Sequence, residues 1–97
     1  MNYLEEFNYS EDTIKNIEDS LSNDDYIEFS FNQKRVLEDI AYLNSLGIKN
    51  IDKLIIERPS LFYEDKDTLE EYFNKCTIPN IVDLINIDNA MFEEIGL

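Results

Sequence analysis

Residues 42–62, YLNSLGIKNIDKLIIERPSLF, lie over residues 72–92, YFNKCTIPNIVDLINIDNAMF, when the chain is slid along itself by 30 positions. Tyr42 then meets Tyr72, Ile48 meets Ile78, Asn50 meets Asn80, Ile51 meets Ile81, Leu54 meets Leu84, Ile55 meets Ile85, and Phe62 meets Phe92. Leu43 over Phe73 and Leu61 over Met91 keep apolar character without identity. Self-similarity at a fixed period of this length is the mark of stacked supersecondary units, each of which buries its apolar face against a neighbour.

Within and outside the two copies, apolar residues recur three and four positions apart, with no sustained alternation of the kind a strand shows. The fold class is therefore all-α: short helices in two or three helical hairpins, forming a compact bundle or short solenoid. Residues 1–97 are expected to form a single domain, divisible into repeats at 9–41, 42–71 and 72–97. In the first of these, Ser10 to Leu21 takes the short-helix role and Ser30 to Leu46 the long-helix role.

Local signals place the helix ends. Ser10 is an N-cap followed by Glu11 and Asp12, with Tyr9 and Ile14 spaced as a hydrophobic staple. The polar run Ser22-Asn23-Asp24-Asp25 reads as a turn. Ser30 and Gln33 form a capping box that opens the longest helix, whose buried face is Val36, Leu37, Ile40, Leu43 and Leu46. Gly47 ends it in the left-handed conformation, folding Ile48 back toward Leu43. Asn50 and Asn80 read as side-chain caps, Pro59 as a stop, Asp67 and Glu70 as a further capping box, and Asp88 as the start of a last turn ending at Gly96. Phe29, Phe31, Phe62, Phe73, Phe92 and Cys76 are expected in the core.

The string Leu43 to Ile48, then Asn50 to Ile55, then Arg58-Pro59-Ser60-Leu61-Phe62 resembles one repeat of the mitochondrial transcription termination factor family, and residues 72–92 resemble a degenerate second copy. The resemblance implies paired helices with a short 3₁₀ turn after a proline, stacked into a curved solenoid that in that family holds duplex DNA. Asn89 stands where the first copy has Pro59, and Thr77 where it has Gly47.

Composition constrains function more sharply than fold. The chain has 22 acidic and 8 basic residues, a formal charge of −14, no His, two Gly and a single Cys, while 43 % hydrophobic residues suffice for a folded core. Without His, the usual base for Ser or Cys nucleophiles is missing. Isolated Gly47 and Gly96 make no phosphate-cradling loop, and Glu64-Asp65-Lys66-Asp67 lacks the ligand alternation and central Gly of a calcium loop. The adjacent carboxylates Glu5-Glu6, Asp24-Asp25, Glu70-Glu71 and Glu93-Glu94 diverge by about 100° along a helix, which separates them too far to act as catalytic pairs. No enzymatic activity, catalytic residue, cofactor or metal is expected. One Cys permits no internal disulfide and suits a reducing cytoplasm. The N-terminus Met-Asn-Tyr-Leu-Glu-Glu has no secretory pattern, and no apolar run is long enough for a membrane span.

Residues 1–31 hold nine acidic residues and one Lys, whereas residues 32–97 hold 13 and seven. Direct nucleic-acid binding is not expected, because duplex affinity depends on Lys and Arg neutralising phosphates. The function the sequence favours is a non-enzymatic acidic module that docks a basic protein, of the inhibitor or immunity type. Where that partner itself binds nucleic acid, the carboxylates would take phosphate positions as a mimic. Its contact residues are Glu5, Glu6, Tyr9, Glu11, Asp12, Asp24, Asp25, Tyr26 and Glu28, with Tyr3 and Phe7 among them: aromatic area inside an acidic rim. The alternative is a nucleic-acid-binding repeat protein in which Lys34, Arg35, Lys49, Lys53, Arg58 and Lys75 converge on one face. The bland account is an acidic surface that serves solubility alone.

Overall fold

The helical expectation holds along the whole chain: the computed structural model, which describes residues 1–97, has six α-helices, three 3₁₀ segments and no strand. In chain order these are η1 (Asn2–Phe7), α1 (Glu11–Ser20), α2 (Asn23–Phe31), α3 (Gln33–Leu46), α4 (Ile51–Glu57), η2 (Pro59–Tyr63), α5 (Lys66–Lys75), α6 (Ile81–Ile87) and η3 (Asn89–Ile95). The molecule measures 36 × 22 × 22 Å.

Several ends form as their residues dictate. The Ser10 hydroxyl accepts from the Thr13 N–H at 3.1 Å, and the Asp88 carboxylate accepts from the Ala90 N–H at 3.0 Å. Gly47 closes α3 at φ 92°, its N–H donating to Asn44 O while the Ile48 N–H donates to Leu43 O, so Ile48 is buried beside the helix it follows. Pro59 opens η2, where its missing N–H would have had no partner.

Other ends differ from expectation. Ser22 is a cap and not part of a turn: its hydroxyl accepts from the Asp25 N–H, and residues 23–31 form α2. Ser30 lies inside that helix and donates to Tyr26 O, so α3 starts after Asn32 instead, with no side-chain cap. Asp67 lies within α5, which begins at Lys66 behind an uncapped Asp65. Asn50 and Asn80 do precede α4 and α6, yet neither side chain bonds the helix; both backbones are left-handed, with φ 55° and 58°. Asn reaches that region more readily than most residues with a Cβ, because its short polar side chain bonds locally.

Seventeen hydrophobic residues form one core, and its largest fully buried side chains are Phe29, Phe62 and Phe92. Phe29 and Phe62 meet at 5.8 Å between ring centroids, and Phe73 sits edge-on to both Tyr42 and Phe92 at 6.1 Å. Phe73 and Cys76 are half-buried against this core, while Phe31, expected inside, is 82 % exposed. Phe31 is two residues from Phe29, which turns it about 160° away around α2.

The two similar stretches, 42–62 and 72–92, run from the end of α3 through α4 and η2 and from the end of α5 through α6 and η3, so the repeat boundaries expected at 41/42 and 71/72 fall inside α3 and α5, which pack on each other. Asn86 bridges the joint between the two stretches, donating to Gly47 O at 3.0 Å and accepting from the Lys49 N–H at 2.8 Å. Arg58 reaches across to Asn89 at 3.3 Å and to Glu93 at 3.5 Å. Ahead of them, η1-α1-α2 packs α1 on α4 and α2 on η2. Here Tyr3-Leu4 and Asn8 stand before α1 much as Tyr42-Leu43 and Gly47 stand before α4. Leu4 and Leu43 are both fully buried, and Asn8 and Gly47 are both left-handed. That pairing takes in residues 1–8, which the repeat beginning at residue 9 leaves outside.

Candidate functional site

The proposed contact residues fall on η1, on the start of α1 and on α2, and the structure divides them into free and engaged groups. Glu5, Glu6, Glu11, Asp12 and Asp24 are exposed, with no ion pair to any basic residue. Asp25 turns inward on α2, where its carboxylate accepts the Tyr63 hydroxyl. That bond, with burial and the negative charge of Asp25 itself, pushes the Tyr63 phenol up to about 12. Glu28 accepts from Arg35 at 3.3 Å and from the Asn32 side chain at 3.0 Å.

The aromatic residues divide similarly. Tyr3 donates to Phe29 O at 2.7 Å and anchors η1 over α2; burial raises its phenol above the ordinary value. Phe7 and Tyr9 are half-buried against the core. Burial also raises the Tyr9 phenol, as does the Asp52 carboxylate beside it. All three pack against the core and keep part of their surface in water. Tyr26, 38 % exposed, is the one tyrosine of the set that offers substantial free area.

Sequence reasoning missed the larger part of that area. Ile27 and Phe31 are 52 % and 82 % exposed, one turn apart on α2. Their signal was Ser22-x-x-Asp25, the helix-start signature; read as a turn, it hid the i, i+4 relation of the two apolar residues.

Basic residues make no positive face. Of the eight, six are within 4 Å of a carboxylate: Lys34 with Glu38, Arg35 with Glu28, Lys53 with Glu57, Arg58 with Glu93, Lys66 with Asp67 and Glu70, and Lys75 with Glu71. Only Lys15 and Lys49 stand without one. A cavity of about 600 Å³ opens between the starts of α3 and α5, and its walls pair Lys34, Arg35 and Lys66 with Glu38, Asp65 and Asp67. It is charge-balanced and attracts neither sign.

Beneath that region lies Asp39, fully buried on α3, with neither carboxyl oxygen bonded. Burial pushes its carboxyl up to about 8; Arg35 opposes the shift, while Asp65, Glu38 and Glu64 add to it. No set of three or more acidic, Cys or His side chains is placed to hold a metal ion, and no helix is long and apolar enough to cross a membrane. Comparison with protein-family models, curated proteins and solved structures finds no match to this chain.

Proposed function

We propose that this chain is a non-enzymatic protein-binding module, of the inhibitor or immunity type, whose acidic N-terminal third captures a basic protein in a reducing cytoplasm. One observation carries the reading: the basic residues neutralise carboxylates almost entirely outside residues 1–31. Within that third only Glu28 belongs to an ion pair, so Glu5, Glu6, Glu11, Asp12, Glu18, Asp19 and Asp24 keep their full field. Such an acidic field steers a cationic partner and repels phosphates. The resemblance to termination-factor repeats contributes stacked helices to this reading and no DNA ligand, because five of the six cations that would have to grip phosphates are already paired.

Capture from host extract tests it, using the wild-type chain against a variant carrying Glu5→Lys, Glu6→Lys, Glu11→Lys and Asp12→Lys. These exposed positions lie outside the core, so both chains should give the same helical circular dichroism. The wild type retains basic proteins that elute as salt rises, and the variant loses them. If both chains retain the same proteins, or the wild type retains duplex DNA, the reading fails.

A further inference from the structure

We infer that the outward edge of α2, built on Ile27 and Phe31, seats a basic amphipathic helix of the partner. The inference rests on the protein-binding reading and adds the docking element and the chemistry of its occupant. At about 100° of rotation per residue, Ile27 and Phe31 lie about 40° apart and opposite Phe29. The inner side of α2 is closed, with Phe29 at 1 % exposure against the Phe62 ring and Asp25 bonded to Tyr63. The outer side carries apolar residues at 52 % and 82 % exposure. A helix apolar on two opposed faces is built to be covered on both.

The surroundings decide what covers it. Asp24, exposed and unpaired, falls about 60° from Ile27 and one turn before it, so an acid flanks the Ile27 end of the pair. Phe31 at the other end borders the charge-balanced cavity of Lys34, Arg35 and Lys66 with Glu38, Asp65 and Asp67, which leaves the acidic surplus at the Asp24 end. Tyr26 adds partly exposed ring area on the opposite flank. A matching surface needs an apolar stripe to meet Ile27 and Phe31, with cations along one edge to meet Asp24 and the field of η1 and α1. An amphipathic helix with Lys or Arg beside its apolar face has that layout. A second copy of this chain would add −14 to −14, which opposes self-pairing.

Three synthetic peptides test the inference by titration calorimetry: a Leu/Lys amphipathic helix of about five turns, its scrambled isomer, and an oligolysine of equal charge. The wild-type chain should bind the amphipathic helix about tenfold or more tightly than the other two. The double variant Ile27→Ser, Phe31→Ser should lose that preference and keep its affinity for oligolysine. Equal affinities for all three peptides, or a preference that survives in the double variant, would overturn the α2 assignment while leaving the acidic module standing. Failure to bind any cationic peptide overturns both. A wild-type dimer in sedimentation, dissociated by the same double variant, would assign the edge to a second copy and so also overturn the inference.

Discussion

At Asn50 and Asn80 the backbone turns left-handed immediately before α4 and α6, and the side chains leave the helix ends uncapped. A cap and a left-handed position make opposite demands on a replacement. Ser serves as well as Asn at a cap, whereas a left-handed position rejects Ser and accepts Gly. Asn50→Ser should therefore cost about 1 kcal/mol and Asn50→Gly much less, read from urea midpoints; equal stability of the Ser variant would restore the capping role. Asn was legible as punctuation at both sites, but its conformation was not, because the same side chain suits both uses. Asp39 presents a second case. It lies on the buried side of α3, three residues after Val36 and four before Leu43, yet the apolar pattern that defined that helix's buried face from sequence passes over a carboxylate, so neither its burial nor its missing partners was read there. With its carboxyl held near 8 in the fold and ionising near 4 in the unfolded chain, the native state binds the extra proton between those values. This group's contribution is fully present below about pH 4, declines by about 1.4 kcal/mol per pH unit, and is gone above about pH 8. Asp39→Asn should match the wild type near pH 4 and exceed it increasingly toward pH 8 in denaturant unfolding. Parallel profiles would show that Asp39 ionises inside the fold as it does outside.

Helix starts show why elements were read unevenly. Ser10 was recognised because Glu11, Asp12 and an apolar stripe follow it. Ser22 was not, because Asn23, Asp24 and Asp25 suit a turn equally well and the Ser30-Gln33 pair competed for the start. Tertiary packing decides between them: Phe29 buried against Phe62 draws residues 23–31 into α2, and Asn32 breaks the run at φ −126° while its side chain donates to Glu28 O. Ser22→Ala should then cost about 1 kcal/mol. Ser30→Ala, whose hydroxyl only bonds back to Tyr26 O on an exposed face, should change stability little. Thermal unfolding of the pair checks this, and a larger loss at Ser30 would place the helix start where the capping box first suggested. The repeat was legible because Ile48 with Ile78, Asn50 with Asn80, and Leu54-Ile55 with Leu84-Ile85 recur at one offset within short local segments. The joints between units were not, since Asn86 with Gly47 and Arg58 with Glu93 pair across more than thirty residues.

For the whole molecule, distribution matters more than the total of −14. Ion pairs within α3, α4 and α5 occupy Lys34, Lys53, Lys66 and Lys75, Arg35 and Arg58 pair with Glu28 and Glu93 on other elements, Lys49 stands unpaired, and no pair forms within η1, α1 or α2. The asymmetry was legible as a count along the chain; that Asp25 and Glu28 are occupied, and that Phe31 faces water, required the fold. A partner drawn by this field should arrive faster when the field is unscreened and leave at a rate set by the short-range contacts on α2. The most direct test is the stopped-flow association rate of the captured basic partner as salt rises from about 20 to about 500 mM, where screening contracts from tens of ångströms to a few. The rate should fall by about tenfold or more in the wild type and stay nearly flat in the Glu5, Glu6, Glu11 and Asp12 charge-reversed variant. A wild-type rate that does not respond to salt would contradict the acidic docking surface.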